Sequence, residues 1–313
     1  MPRQIRIEYP GAIYHVMSRG DHREPIVQGD ADRELWLKTV GEACAKCDWQ
    51  VHAYCLMTNH FHLVVETPVA NLVSGMKWFL GTYTVRFNTR HHLRGHLFAG
   101  RYKSLLIDES DSHYLRIACD YVHLNPARAN LVRPGQRLED YRWSSYPSYL
   151  QKPSVRPRWL RTDRLLGEHG MEDDNRMARL EFSQRVETER VTANNPGVHD
   201  GLLRRGWRLG GEAFLSRLLD QMEGKLSENH EAPERADVAE AKAERIIQSS
   251  LREMGWTEDD LRERHKCAPE KVRMAERLRA ETTLSLKRVA ERLHLGTWTN
   301  TSNLLYKARK QQS

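Results

Sequence analysis

Cysteine is scarce in this sequence, and the little there is points to a reducing compartment. The five residues, Cys44, Cys47, Cys55, Cys119 and Cys267, are odd in number, which argues for free thiols rather than a disulfide framework. Cys44-Ala-Lys-Cys47 is a lone C-x-x-C. Zinc would need two more ligands at suitable spacing and no second pair exists, so the motif is read as structural. No apolar run approaches the roughly 18 residues that a membrane span requires, and Met1 to Pro10 carries no signal-peptide pattern. Internal repeats and low-complexity tracts are absent as well. The expectation is a cytoplasmic protein with no membrane partner.

What is present is a globular composition with an uneven charge. Of 313 residues, 39% are hydrophobic and 29% charged, with a formal net charge of +7. Lysine and arginine outnumber aspartate and glutamate by 18 to 15 over residues 1–150 and by 16 to 11 over 240–313, while 151–239 has 15 against 16. A basic excess concentrated in a short tail favours a polyanionic partner such as nucleic acid.

The alternation of Ala12 to Ser18 predicts a first strand, stopped by Arg19-Gly20-Asp21. Asp30-Ala-Asp32 supplies N-cap candidates for a helix to about Cys47, with Leu35, Trp36, Val40, Ala43 and Cys44 as its apolar stripe. Strands follow near 50–57 and 60–66, joined by a tight turn at Thr58-Asn59. A second helix is expected from Leu72 to about Asn88, a fourth strand from Tyr102 to Ile107, and a third helix from Asp111 to Asn125, ended by Pro126. This order is βαββαβ plus a helix: an α+β, ferredoxin-like, four-stranded antiparallel sheet with helices on one face.

Thr58 to Glu66, T-N-H-F-H-L-V-V-E, stands out within that order. Side chains alternate along a strand, so His60 and His62 share one face, ~7 Å apart, while Phe61 and Leu63 share the other. Two imidazoles so placed can reach one divalent cation; two satisfied histidines on a half-exposed strand give the same pattern. On the third helix Tyr121 and Asn125 are four apart and share a face, which suits a core tyrosine and a C-terminal cap equally well. The loop Asn88 to His96, with Arg90 and Arg94, is either solvated surface or a phosphate contact. Arg101 and Lys103, two apart, are expected to share a face of the fourth strand and to add backbone contacts, strand-edge solubility being the other reading.

Past Tyr146 the pattern changes. Residues 151–239 are expected to form a helical connecting region, with a break at Asn194-Asn-Pro-Gly197, and 240–313 a separate helical domain. There Val272, Ala275 and Leu278 mark one helix, and Leu286, Val289, Ala290 and Leu293 a second. His294-Leu-Gly-Thr297 then turns the chain into a third, Trp298 to Arg309. That outline is a helix-turn-helix with Trp298, Asn300, Asn303 and Lys307 as candidate DNA contacts; a plain three-helix bundle has the same periodicity.

N-H-F-H-L-V-V-E, F-A-G-R-Y-K-S, D-Y-V-H-L-N-P-A-R-A and Y-R-W-S-S-Y, in this order, resemble the single-tyrosine HUH transposases, above all the REP-associated tyrosine transposases. The resemblance covers residues 1–150, and T-L-S-L-K-R-V-A-E-R-L-H-L-G-T-W-T resembles the DNA-binding extension of longer members. It implies that His60 and His62 are the metal-binding pair, that Tyr121 is the nucleophile, and that Asn125 stands where relatives place a glutamine as third ligand. It further implies Mg²⁺ or Mn²⁺, single-stranded hairpins of palindromic repeats as DNA partner, a 5′-phosphotyrosyl intermediate, and a monomer or homodimer. Two other functions fit parts of the pattern: a non-catalytic DNA-binding regulator, and a metal-dependent nuclease using water in place of the tyrosine.

Overall fold

A computed structural model describes residues 6–133, 135–192, 203, 206–222, 232–282 and 284–312. The Asn194–Gly197 break lies outside them. Contacts divide the chain into two compact units, Glu8–Phe214 and Leu215–Ser313 together with Met1–Ile7.

In the first unit β1 (Ala12–Arg19), β2 (Gln50–Leu56), β3 (His60–Thr67) and β4 (Lys103–Ile107) form the expected antiparallel core. A fifth strand absent from the sequence reading, β5 (Arg208–Leu209), pairs parallel with β4, and the sheet runs β2-β3-β1-β4-β5. Two residues are too few to give a periodic signal.

The helices are not all on one face. Trp36 of α1 (Asp30–Cys47) and Phe79 of α2 (Leu72–His91) meet each other and Phe61, and Trp36 also meets Tyr54, covering one side of the sheet. α3 (Ser112–Arg128) covers the other, where Tyr121 meets His15 and His62. This arrangement explains why β3 is apolar on both faces save at its histidines, Glu66 and Thr67.

Three boundaries differ from expectation for identifiable reasons. α1 starts at Asp30 itself, capped by Gly29, and its buried Asp32 accepts from the amide of Gln28 and from His91 rather than capping the helix. α2 runs on to His91, because Arg90 and His91 in its last turn both bind Asp32, at 3.2 and 2.9 Å. α3 runs through Pro126 to Arg128. A proline removes one amide donor, yet the turn is rebuilt by the amides of Ala129 and Leu131, which donate to Asn125 and Pro126.

The free edge of β2 is sealed by the chain after residue 140. Leu56 donates to the Trp143 carbonyl, Tyr54 and Ser145 exchange backbone and hydroxyl bonds, and Val51 pairs with Trp159 and Arg161. Exposed strand edges invite foreign pairing, and this cover removes the invitation. The short α4 (Tyr146–Leu150), α5 (Asp163–Glu168) and α6 (Arg176–Thr192) follow, with Phe182 packed among His123, Tyr146, Tyr149 and His169. Residues 151–192 therefore belong to the first unit, and the segment expected to connect two domains is shared between them.

The second unit is helical: α7 (Glu212–Met222), which begins just before the division, then α8 (Ala232–Met254), α9 (Glu258–Glu263), α10 (Pro269–Glu281), α11 (Leu286–Arg292) and α12 (Trp298–Gln312). Ile247, Leu251, Leu261, Ala275, Leu278, Val289, Leu293 and Leu305 form its core. The turn between α11 and α12 is made by His294 and Gly296, both at positive φ, +51° and +86°. Buried Leu295 anchors it, and its carbonyl accepts from Asn300. No helix among the described residues is long and apolar enough to cross a membrane.

Candidate active site

The site forms where β1, β3 and α3 meet. In the antiparallel pairing of β1 with β3, Arg19 lies opposite His60, Met17 opposite His62 and His15 opposite Val64. Alternation puts His15, His60 and His62 on the α3 face, with His15 and His62 diagonal neighbours across the ladder. Their rings stack at 5.1 Å and 11°, and His15 Nε2 lies 2.9 Å from His62 Nδ1. The His60 ring stands 5.2 Å from that of His62 at 77°.

α3 brings its own residues to the same place. The Tyr121 ring meets His15 and His62 edge-on, at 5.7 and 5.9 Å. One turn along, Asn125 is buried, and its Nδ2 has no hydrogen-bond partner. A buried N–H donor left without a partner is costly, and Nδ2 can donate only to an acceptor such as a phosphate oxygen, whereas a cation would be met by Oδ1. A further turn on, the Arg128 guanidinium lies over the Tyr121 ring, 4.6 Å from its centroid.

Burial keeps the three imidazoles uncharged. It holds His15 down at about 4 and pushes His62 well below the ordinary histidine value, helped by the neighbouring His15, His60 and Arg19. His60 is held at about 4 by burial and then by the Arg19 charge. Neutral imidazoles offer lone pairs, the state a metal ligand needs. Among the described residues no three His, Cys, Asp or Glu side chains form a group that could hold an ion; Asn125, one turn from Tyr121 on α3, carries an amide oxygen as a donor of another type. The residues present fit a divalent ion with open positions better than a closed structural zinc site.

The other candidates are dispersed. Lys103 opens β4 opposite Met17, in the same cross-strand row as His62, and is exposed. Arg101 is exposed too, but precedes the strand, which starts at Lys103, so the two do not share a strand face. Arg90 is tied to Asp32, whereas Arg94 is exposed in the turn after α2. On α12, Trp298, Asn303 and Lys307 are exposed, while Asn300 spends its amide on the Leu295 carbonyl. Glu66 belongs to a separate cluster with His52, Arg161 and Arg164.

Sequence reasoning missed His15 and Arg128. His15 has the right parity on β1, but pairing register is not written in one strand. Arg128 is seven residues from Tyr121, two helical turns, and was hidden by ending the helix at Pro126. The motif Y-R-W-S-S-Y turns out to be architectural, since Trp143 to Ser145 seal the β2 edge.

No curated protein matches the chain in sequence. A solved REP-associated tyrosine transposase bound to a REP hairpin is 13% identical, with a TM-score of 0.42, covering 51% of this chain and 92% of its own. The family model described as "Transposase IS200 like" matches residues 9–125, a span that opens just before β1 and closes on Asn125. That match makes residues 9–125 similar to the IS200-like transposases over less than half of the chain.

Proposed function

We propose that the first unit is a single-stranded DNA transposase that nicks and rejoins DNA at hairpin-forming palindromic repeats, with Tyr121 as nucleophile. One observation carries the reading: Tyr121 on α3 packs edge-on against His62, 5.9 Å away, with His60 beside it. A tyrosine on α3 and two uncharged histidines on β3 are thereby gathered in one place.

In this reading His60, His62 and Asn125 hold Mg²⁺ or Mn²⁺. The ion, when bound, polarises the scissile phosphate and lowers the barrier to its attack by a phenol, a weak nucleophile at neutral pH. Tyr121 Oη forms a bond to phosphorus and loses its proton, while the bond from phosphorus to the 3′ oxygen breaks and that oxygen leaves as a hydroxyl. The 5′-phosphotyrosine conserves one phosphodiester-like bond, so a DNA hydroxyl can reverse the step without ATP. Arg128 over the Tyr121 ring, Arg19 opposite His60 and Lys103 in the cross-strand row of His62 would supply positive charge for the DNA backbone. The second unit would bind DNA through α12, with Trp298, Asn303 and Lys307 outward, as a helix-turn-helix does.

The test is a denaturing gel of the full chain with labelled single-stranded hairpin DNA and Mn²⁺ or Mg²⁺. A metal-dependent covalent adduct, absent from Tyr121→Phe and from His60→Ala/His62→Ala and reduced in Asn125→Ala, is expected. Nicking without adduct, unchanged in Tyr121→Phe, would replace this reading by a hydrolytic nuclease. Binding to repeat hairpins without cleavage would replace it by a regulator.

A further inference from the structure

The two histidines of the pair are each held at the same ring atom. His60 Nδ1 lies 2.7 Å from Asn59 Oδ1, and His62 Nδ1 lies 2.9 Å from His15 Nε2. The Asn59 amide is oriented by its other bond, in which Nδ2 donates to the carbonyl of Arg23 at 3.1 Å. Its oxygen is thereby the atom facing His60, so the hydrogen between them belongs to His60 Nδ1. A neutral imidazole carries one N–H, and His60 therefore has its lone pair on Nε2.

The His15–His62 bond obeys the same bookkeeping from the other side. Two neutral imidazoles joined nitrogen to nitrogen share one hydrogen. If His62 donates from Nδ1, its free lone pair is on Nε2, and His15 accepts on Nε2 while carrying its own hydrogen on Nδ1. If His15 donates, the His62 lone pair is spent inside the protein and His62 cannot ligate. Only the first arrangement makes a pair of ligands.

We propose that Asn59 and His15 are the positioning residues of the metal pair. Each accepts the Nδ1 hydrogen of one histidine, and together they aim both Nε2 lone pairs at one ion. This rests on the reading of His60 and His62 as ligands. A ligating imidazole whose far nitrogen is hydrogen-bonded is fixed in tautomer and ring orientation, and loss of such an outer partner costs 10–100-fold in metal affinity on the order seen elsewhere. His15 has a second task. Its ring also meets Tyr121 edge-on at 5.7 Å, so the group that orients a ligand also touches the nucleophile.

Two measurements test this. In the metal-free full chain labelled with ¹⁵N-histidine, long-range proton–nitrogen spectra, assigned with His60→Gln and His62→Gln, are expected to show both rings as Nδ1–H tautomers. An Nε2–H tautomer at either ring overturns the assignment. Calorimetric titration with Mn²⁺ gives the second reading. His15→Phe keeps a ring against Tyr121 but removes the acceptor, and is expected to weaken Mn²⁺ binding about 10-fold or more, with His15→Gln restoring part of the loss through its amide oxygen. Asn59→Ala should weaken binding similarly and Asn59→Asp should not. Affinities of His15→Phe and Asn59→Ala within twofold of the parent would overturn the proposal. Failure of the transposase reading looks different: the parent chain would form no adduct, while the tautomer spectrum would still decide whether the rings are held as described.

Discussion

The Arg128 guanidinium lies over the face of the Tyr121 ring, 4.6 Å from its centroid, and Arg128 Nη1 donates to the Tyr121 carbonyl at 3.4 Å. A cation on an aromatic face contributes about 0.5–2 kcal/mol and fixes the ring's orientation. Here it also sets a positive charge on the ring whose hydroxyl is proposed to attack a phosphate. Arg128→Ala is expected to slow adduct formation by about 10-fold or more with hairpin affinity less affected, since a mispositioned nucleophile costs rate more than binding. Arg128→Lys should recover only part, because a compact ammonium neither stacks nor forks like a guanidinium. Single-turnover rates of adduct formation at saturating DNA check this.

How far the sequence could be read depends on where each signal resides. The first four strands and first three helices of the first unit follow from local alternation and 3.6-residue stripes, and were legible to within a few residues. His60, His62, Tyr121 and Asn125 were legible as pairs within one element, two on β3 and two on α3. That the pairs meet depends on α3 crossing the sheet on the face opposite α1 and α2, which no local pattern encodes. His15 and Asn59 act through single hydrogen bonds set by pairing register and turn geometry, and β5 exists only by virtue of its neighbour β4. Pro126 misled because its lost amide bond is a local penalty that the rebuilt final turn of α3 overrides.

Ser145 shows the structural share of a motif that resemblance alone would have assigned to function. Its hydroxyl accepts from the buried amide of Tyr54 at 2.9 Å and lies 2.8 Å from His123 Nε2. Truncation would leave a buried backbone donor and a buried imidazole nitrogen without partners, each costing about 1–3 kcal/mol. Ser145→Ala is expected to destabilise the first unit by roughly 2–4 kcal/mol, read in urea unfolding, without altering the metal affinity of the chain at low temperature. Unchanged stability would mean that the β2 edge is held by Trp143 and Trp159 alone.

Acid should weaken the first unit through His52 and Glu66. Burial holds His52 below its ordinary value of 6.5 although Glu66, 2.9 Å away, pulls the other way. The His52 bond, then the Arg164 and Arg161 charges, hold the Glu66 carboxyl below 4.5. Both folded values are depressed, so in both cases the unfolded chain binds protons more readily and stability falls as pH falls. His52 contributes a loss that begins below pH 6.5, and Glu66 adds to it below pH 4.5. Melting temperatures measured from pH 7.5 to 4 should therefore decline, and His52→Gln should make the decline between pH 6.5 and 4.5 shallower. A decline of unchanged steepness would assign the acid sensitivity to other buried histidines.

Lys307 tests the role proposed for the second unit. It is exposed on α12 together with Trp298 and Asn303, on a helix whose core side is filled by Leu305 and Thr301. If α12 lies in a groove, Lys307 neutralises a phosphate, and each such contact releases condensed counterions. The plot of log affinity against log salt should then lose about one unit of slope in Lys307→Ala, and Asn303→Ala should leave the slope unchanged while lowering affinity for particular sequences. Adduct yield at saturating DNA should not change in either variant, because neither residue is placed in the histidine–tyrosine site. Binding curves between 50 and 200 mM salt on duplex and hairpin DNA distinguish the cases, on the order of the range where such slopes are resolved. A slope identical to the parent on both substrates would mean that the basic tail meets its partner through a different face of the bundle.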